Sequence, residues 1–118
     1  MSKLILKPFI VIVLLTMNIN ANQYDKCIKE GGFYRDCMRY ERDRQDKLLN
    51  INYKKAMNRL KGERREQLRE IQRLWIKYTN AKCSFYYHKH SGSGGLDEAI
   101  FCEMQEATKR ALELSEIY

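Results

Sequence analysis

Gln72-Arg73-Leu74-Trp75-Ile76-Lys77-Tyr78, followed by Cys83, decides the fold of this 118-residue chain. Apolar and aromatic residues recur here at three- and four-residue intervals among charged ones, the period of a helix. The pattern predicts a helix over residues 63–85, with Leu68, Ile71, Trp75, Tyr78 and Lys82 on one side. Glu63 and Glu66 stand in its first turn, where negative charge suits the helix dipole. Upstream, Leu49, Tyr53, Ala56 and Leu60 form a stripe on a second long helix, expected over residues 34–61. Gly62 is the left-handed residue that ends it. So short a joint folds the two helices back as an antiparallel hairpin. Downstream, residues 86–95 read as a loop rich in glycine and serine. A third helix is expected from about Leu96 to near the end, opened by Asp97 and Glu98. Its inward stripe is Ile100, Met104, Ala107, Ala111 and Leu114. Residues 22–32 read as an irregular lead with about one helical turn, broken at Gly31-Gly32. No sustained alternation of period two occurs, so no sheet is expected. The fold class is all-α: a small antiparallel helical bundle, two long helices as a hairpin plus a third C-terminal helix.

The first residues read as a secretory signal. Lys3 and Lys7 give a positive start, Phe9 to Leu15 is an unbroken apolar run, and Ile19-Asn20-Ala21 is an acceptable cleavage triplet. The run is shorter than the roughly 20 residues a membrane span needs. The expected division is a signal peptide over 1–21 and one helical domain over 22–118, periplasmic or secreted after cleavage near Ala21. No cysteine stands at the cleavage site, so no lipid anchor is expected.

All four cysteines, Cys27, Cys37, Cys83 and Cys102, fall in the exported part. An even count in a small exported chain reads as two disulfides. Three connectivities are open. Cys27–Cys37 with Cys83–Cys102 is favoured, because each pair closes a local loop at one helix junction. Such closures contribute about 2–4 kcal/mol each.

The formal charge of +7 falls to +5 when Lys3 and Lys7 leave with the signal. Basic residues mostly have acidic neighbours, as in Arg42-Asp43-Arg44 and Glu63-Arg64-Arg65-Glu66, which is the pattern of solvated helix faces. Nucleic acid is a poor partner for an exported protein. Anionic envelope polymer is the charge-based candidate, met by Arg35, Arg39, Arg42 and Arg44 with Lys61, Arg64 and Arg65.

The order and spacing of Cys27, Cys37, Asp46, Leu49, Asn50, Tyr53, Gln72, Arg73, Trp75, Ile76, Tyr78, Ala81, Cys83, Gly94, Gly95 and Cys102 resemble the LprI-type family of small exported proteins. The likeness covers nearly the whole exported chain. Thr79-Asn80 stand where that pattern has Arg-Asp, and Leu74 stands where it has a small residue. The resemblance implies a helical, disulfide-bonded fold and one activity, inhibition of lysozyme. The partner it implies is a protein, a lysozyme or another peptidoglycan hydrolase.

Read physically, the motif is structural. Asp46, Leu49, Asn50 and Tyr53 share one helix face, and Gln72, Trp75 and Tyr78 share another. Polar groups near an apolar seam need partners, since a buried unpaired one costs about 1–3 kcal/mol. A hydrogen-bonded set linking the first two long helices is therefore expected. The candidate target-binding loop is Tyr86, Tyr87, His88, Lys89, His90 and Ser91, where aromatics would supply contact area at small entropic cost. His88 and His90 with two cysteines do not make a common zinc pattern, and thiols outside the cytoplasm pair instead. No metal or cofactor is expected. Ser91 and Ser93 lie near the histidines in a glycine-rich loop that fixes no nucleophile against a base. No carboxylate pair is marked out for acid–base work, so no enzyme is expected. A competing role is an envelope interaction protein using the basic helix faces. The oligomeric state stays open.

Overall fold

The computed structural model describes residues 23–87 and 92–117. The expected signal and His88, Lys89, His90 and Ser91 of the candidate loop lie outside the described residues. Those described form four helices and no strand: α1 (Gln23–Lys29), α2 (Tyr34–Arg59), α3 (Gly62–Tyr86) and α4 (Ser93–Ser115). Both favoured disulfides are present, Cys27–Cys37 and Cys83–Cys102, with Cα atoms 5.6 and 5.4 Å apart. The chain divides after Cys37 into two units, the boundary falling inside α2.

In the first unit the lead is more regular than expected, since α1 has 7 residues. Gly31 then turns the chain with φ +85°, a conformation that costs glycine little. Gly32 donates its backbone N–H to the Cys27 carbonyl at 2.9 Å. It lies against the bridge: a Cβ there would stand 2.6 Å from Cys37 Sγ and 2.7 Å from Cys27 Sγ. The first disulfide therefore closes over a position with room only for hydrogen.

In the second unit one core joins three helices. Leu49, Ala56 and Met57 of α2 and Leu60 just after it meet Leu68 of α3 and Ala107, Ala111 and Leu114 of α4, with Tyr53, Trp75 and Ile117 packed against them. The α2 and α4 stripes are those expected from their spacing. Contacts between α2 and α4 advance together along both helices: Arg42 Nη1 to Glu103 Oε2 at 2.8 Å, Asn52 Nδ2 to the Ala111 carbonyl at 2.8 Å, and Arg59 Nη1 to the Ile117 carbonyl at 3.2 Å. Contacts between α3 and α4 advance oppositely, from Arg110–Gln72 to Cys102–Cys83. Gly62, at φ +58°, follows Lys61 in the joint and is the first residue of α3.

The buried face of α3 is a correction. Its buried residues are Leu68, Gln72, Thr79 and Cys83, while Ile71 and Tyr78 of the expected stripe are exposed. The disulfide explains the difference. Cys83 must face Cys102, and the positions four and eleven residues before it on a helix share its side. Those are Thr79 and Gln72, so the bridge sets the rotation of α3. The third long helix also begins earlier than expected: Gly92 has φ +57°, and Gly94 and Gly95 lie in the first turn of α4, Gly95 buried. Asp97 and Glu98 consequently fall after the first turn.

Candidate functional site

Three places carry polar or aromatic groups that packing alone does not explain. The first is a groove of about 380 Å³ between α2, α3 and α4, lined by Arg42, Asp43, Asp46, Trp75, Ile76, Thr79, Asn80, Glu103 and Ala107. Arg42 spans its rim, donating to Asp43 Oδ1 at 3.1 Å and to Glu103 Oε2 at 2.8 Å. Burial raises the Asp46 carboxyl above the usual carboxylate range; Arg42 opposes this, while Asp43 and Glu103 add to it. Thr79 Oγ1 is buried with no hydrogen-bond partner. Thr79 and Asn80, the pair that departs from the resembled pattern, both form the wall of this groove.

Behind the groove lies a buried polar node. Arg110, only 5% exposed, donates from Nε to Gln72 Oε1 at 2.9 Å and from Nη1 to Glu113 Oε2 at 3.3 Å. Its guanidinium carbon sits 5.9 Å from the Trp75 ring centroid. Its Nη2 has no partner.

A second groove, about 330 Å³, lies beside the Cys83–Cys102 bridge, lined by Lys82, Tyr86, Glu98, Phe101, Cys102, Gln105, Glu106 and Lys109. Lys82 Nζ donates to Glu106 Oε1 at 2.6 Å. That bond raises the Lys82 ammonium and lowers the Glu106 carboxyl from their ordinary values. Lys109 stands 3.7 Å from the same carboxylate.

The third place is the C-terminal end of α3. Phe85 is 80% exposed, and Tyr86 and Tyr87 are exposed beside it. The Phe85 and Tyr86 rings meet nearly edge-on, with centroids 5.9 Å apart. Tyr86 closes the helix, and Tyr87 donates its N–H to the Ser84 carbonyl at 3.1 Å.

The motif residues separate into groups. Leu49, Tyr53 and Trp75 join the core, and Gln72 is buried on Arg110. Asp46 lines the first groove while remaining exposed, and Asn50 and Tyr78 are exposed outside it. No hydrogen bond links Asp46, Asn50 and Gln72 to one another; the polar tie from this part of α2 is Asn52, two residues further on. Sequence reasoning passed over Arg110 because its charge suggested solvent. Its spacing from Ala107 and Leu114, three and four residues, was the available signal. Glu41, which accepts from Arg44 at 2.6 Å and from Gln45 at 2.8 Å, was likewise missed inside a run of charges.

Among the described residues no group of three or more His, Cys, Asp and Glu is placed to hold a metal ion, and no helix is long and apolar enough to cross a membrane. The four helices among the described residues, the two disulfides and an aromatic helix end define a small disulfide-stapled helical protein of the extracytoplasmic kind. The chain belongs to the lysozyme inhibitor LprI family, whose profile matches residues 27–114. The match runs from the first cysteine to the last core leucine of α4. It is a family of inhibitors rather than enzymes, and its description implies a protein partner such as lysozyme. No curated protein and no solved structure matches the chain.

Proposed function

We propose that this protein is an exported inhibitor of lysozyme or a related peptidoglycan-cleaving enzyme, acting by occluding its target with the segment Tyr86, Tyr87, His88, Lys89, His90 and Ser91. The observation that carries the reading is the exposed aromatic end of α3, held next to the Cys83–Cys102 bridge. Exposed aromatics anchored on a rigid element are the groups that dominate protein interfaces. In this reading residues 1–21 are the signal, cleaved near Ala21, and 22–118 are the exported domain. Its α2 and α3 make a helical hairpin covered by α4, and the protein works in the periplasm or outside the cell. It needs no metal or cofactor.

Charge bears on the target. An acidic patch of Glu98, Glu103 and Glu106 would attract a basic animal-type lysozyme, but Glu103 is paired with Arg42 and Glu106 with Lys82. At +5 the exported chain gains no long-range attraction to a basic enzyme. A less basic target, such as a bacterial wall hydrolase, fits better. The competing envelope role loses part of its basis for the same reason: Arg42 is held by Glu103 and Arg44 by Glu41, leaving Arg39, Lys61, Arg64 and Arg65 exposed.

A turbidity assay with the oxidised exported protein, against animal-type and bacterial enzymes at low and physiological salt, tests this. Saturable inhibition that survives physiological salt supports it. Inhibition of none of these enzymes rejects it, and binding to anionic polymer that collapses with salt would favour the envelope role.

A further inference from the structure

The groove between α2, α3 and α4 holds more negative charge than it neutralises. Three carboxylates, Asp43, Asp46 and Glu103, line it with one cation, Arg42. Arg42 is already committed, from Nε to Asp43 Oδ1 at 3.1 Å and from Nη1 to Glu103 Oε2 at 2.8 Å. Among the described residues no hydrogen bond or ion pair reaches Asp46. Partial desolvation raises its carboxyl, and Asp43 and Glu103 raise it further against the opposing Arg42. A second cation in the groove would reverse that balance.

A further observation is independent of charge. Thr79 lines the same groove and is only 7% exposed, and its Oγ1 is buried with no hydrogen-bond partner among the described residues. Native proteins leave few buried polar groups unpaired, and each such group calls for a partner from outside the chain or another explanation. Trp75, half-buried, and Ile76, exposed, give the groove apolar surface beside these polar groups. Its volume of about 380 Å³ is at the small end for ligand sites, about 300–1,000 Å³. That is room for one long side chain rather than for a length of polymer.

These features select the occupant. It must carry positive charge for Asp46, an N–H for the Thr79 hydroxyl, and an apolar stem for Trp75 and Ile76. A guanidinium on three methylenes meets all three needs at once. It is planar, weakly hydrated, suited to aromatic surface, and holds five N–H donors in a fixed fork. An ammonium is a compact, strongly hydrated point charge and gives up more hydration to enter.

We infer that this groove receives an arginine side chain from a partner protein, with the Asp46 carboxylate as counter-charge and the Thr79 hydroxyl as acceptor at the inner wall. That the arginine comes from a protein rests on the reading of the chain as an inhibitor, whose family description implies a protein partner. Neither Tyr86 nor Tyr87 lines this groove, so the target is held at a second place besides the aromatic end of α3.

The blocked tripeptide acetyl-Gly-Arg-Gly-amide, titrated to about 50 mM into the oxidised exported protein at fixed ionic strength, tests this by heteronuclear NMR. Matching peptides carry lysine or the neutral isostere citrulline in place of arginine. The expected result is saturable shifts of the Trp75 indole and Asn80 side-chain amide signals with arginine. The lysine peptide binds about threefold or more weakly, and the citrulline peptide does not bind. Asp46→Asn removes the binding and Thr79→Val weakens it about tenfold. Both variants should melt at least as high as the parent at pH 7, since one removes an unpaired charge and the other a partnerless hydroxyl. Lost binding is then not lost folding. No saturable shift with the arginine peptide overturns the inference, whether or not the protein inhibits an enzyme. Equal binding of the citrulline peptide overturns the role of charge, and equal binding of the lysine peptide overturns the choice of a guanidinium. Binding that survives Asp46→Asn overturns the groove as the site. Arginine binding of the expected kind beside no inhibition of any lysozyme rejects the inhibitor reading and leaves the guanidinium site standing.

Discussion

Arg110 and Gln72 form a buried pair across α4 and α3, the guanidinium Nε donating to the amide oxygen at 2.9 Å. The pair explains why a glutamine can occupy the inner face of α3. It also places a cation over Trp75, at 5.9 Å, where the ring face attracts it. Gln72→Leu removes the acceptor and leaves Nε as a second unpaired donor beside Nη2. The expected loss is about 1.5–3 kcal/mol, the range for a hydrogen bond to a charged group. Thermal unfolding should show it as a fall of roughly 6–24 °C at this size. Adding Arg110→Met should recover part of it, since an apolar pair leaves no charge stranded.

Asn52 and Asn50 should separate sharply. Asn52 bonds the Ala111 carbonyl at 2.8 Å, and Asn50 is exposed. Asn52→Leu is expected to cost about 1 kcal/mol in urea unfolding. Asn50→Leu should stay within about 0.5 kcal/mol. Equal effects would contradict the placement.

Gly32→Ala tests the first disulfide. A methyl group would meet both sulfurs of the bridge and the Cys27 carbonyl within 2.7 Å. Overpacking of this kind costs about 1–3 kcal/mol. Titration of the variant with a thiol reductant should open Cys27–Cys37 at a less reducing potential than in the parent, with Cys83–Cys102 unchanged.

Acid should loosen the fold through two carboxyls. Lys82 holds Glu106 below its ordinary value. Burial alone would raise Glu41, but hydrogen bonds from Arg44 and Gln45 bring it below its ordinary value. Both contribute stability above the unfolded carboxylate range and lose it as pH falls through their folded values. Asp46 has the opposite sign: partial desolvation at the groove wall raises it, though the residue stays exposed, so its ionised form opposes folding slightly and ceases to do so when acid protonates it. Melting temperature followed from pH 7 downwards should therefore fall less steeply in Glu106→Gln than in the parent. Asp46→Asn should melt higher than the parent at pH 7 and lose that advantage in acid.

Tyr86→Ala and Tyr87→Ser address the inhibitor reading. Both residues are exposed, so melting should change by little. If the aromatic end fills a target cleft, each should weaken inhibition about tenfold or more, the size expected for an interface anchor. Unchanged inhibition would move the contact elsewhere, the Asp46–Trp75 groove being the next surface to scan.

The period of the apolar residues, the glycine joint at Gly62 and the cysteine positions determined by themselves that the chain is helical, where α2 turns into α3, and which stripes of α2 and α4 face inward. These are local properties, carried by spacing and backbone freedom within a few residues. The sequence could not choose between the two stripes on α3, since Leu68, Ile71, Trp75 and Tyr78 make as good a helical face as Leu68, Gln72, Thr79 and Cys83. Only the tertiary structure decided it: Cys102 on α4 fixes the side on which Cys83 must lie, and Arg110 supplies the partner that lets Gln72 go inward. The Asp46–Trp75 groove was hidden for the same reason. Its walls come from three helices, and which residues meet there depends on helix rotation, which no single segment specifies.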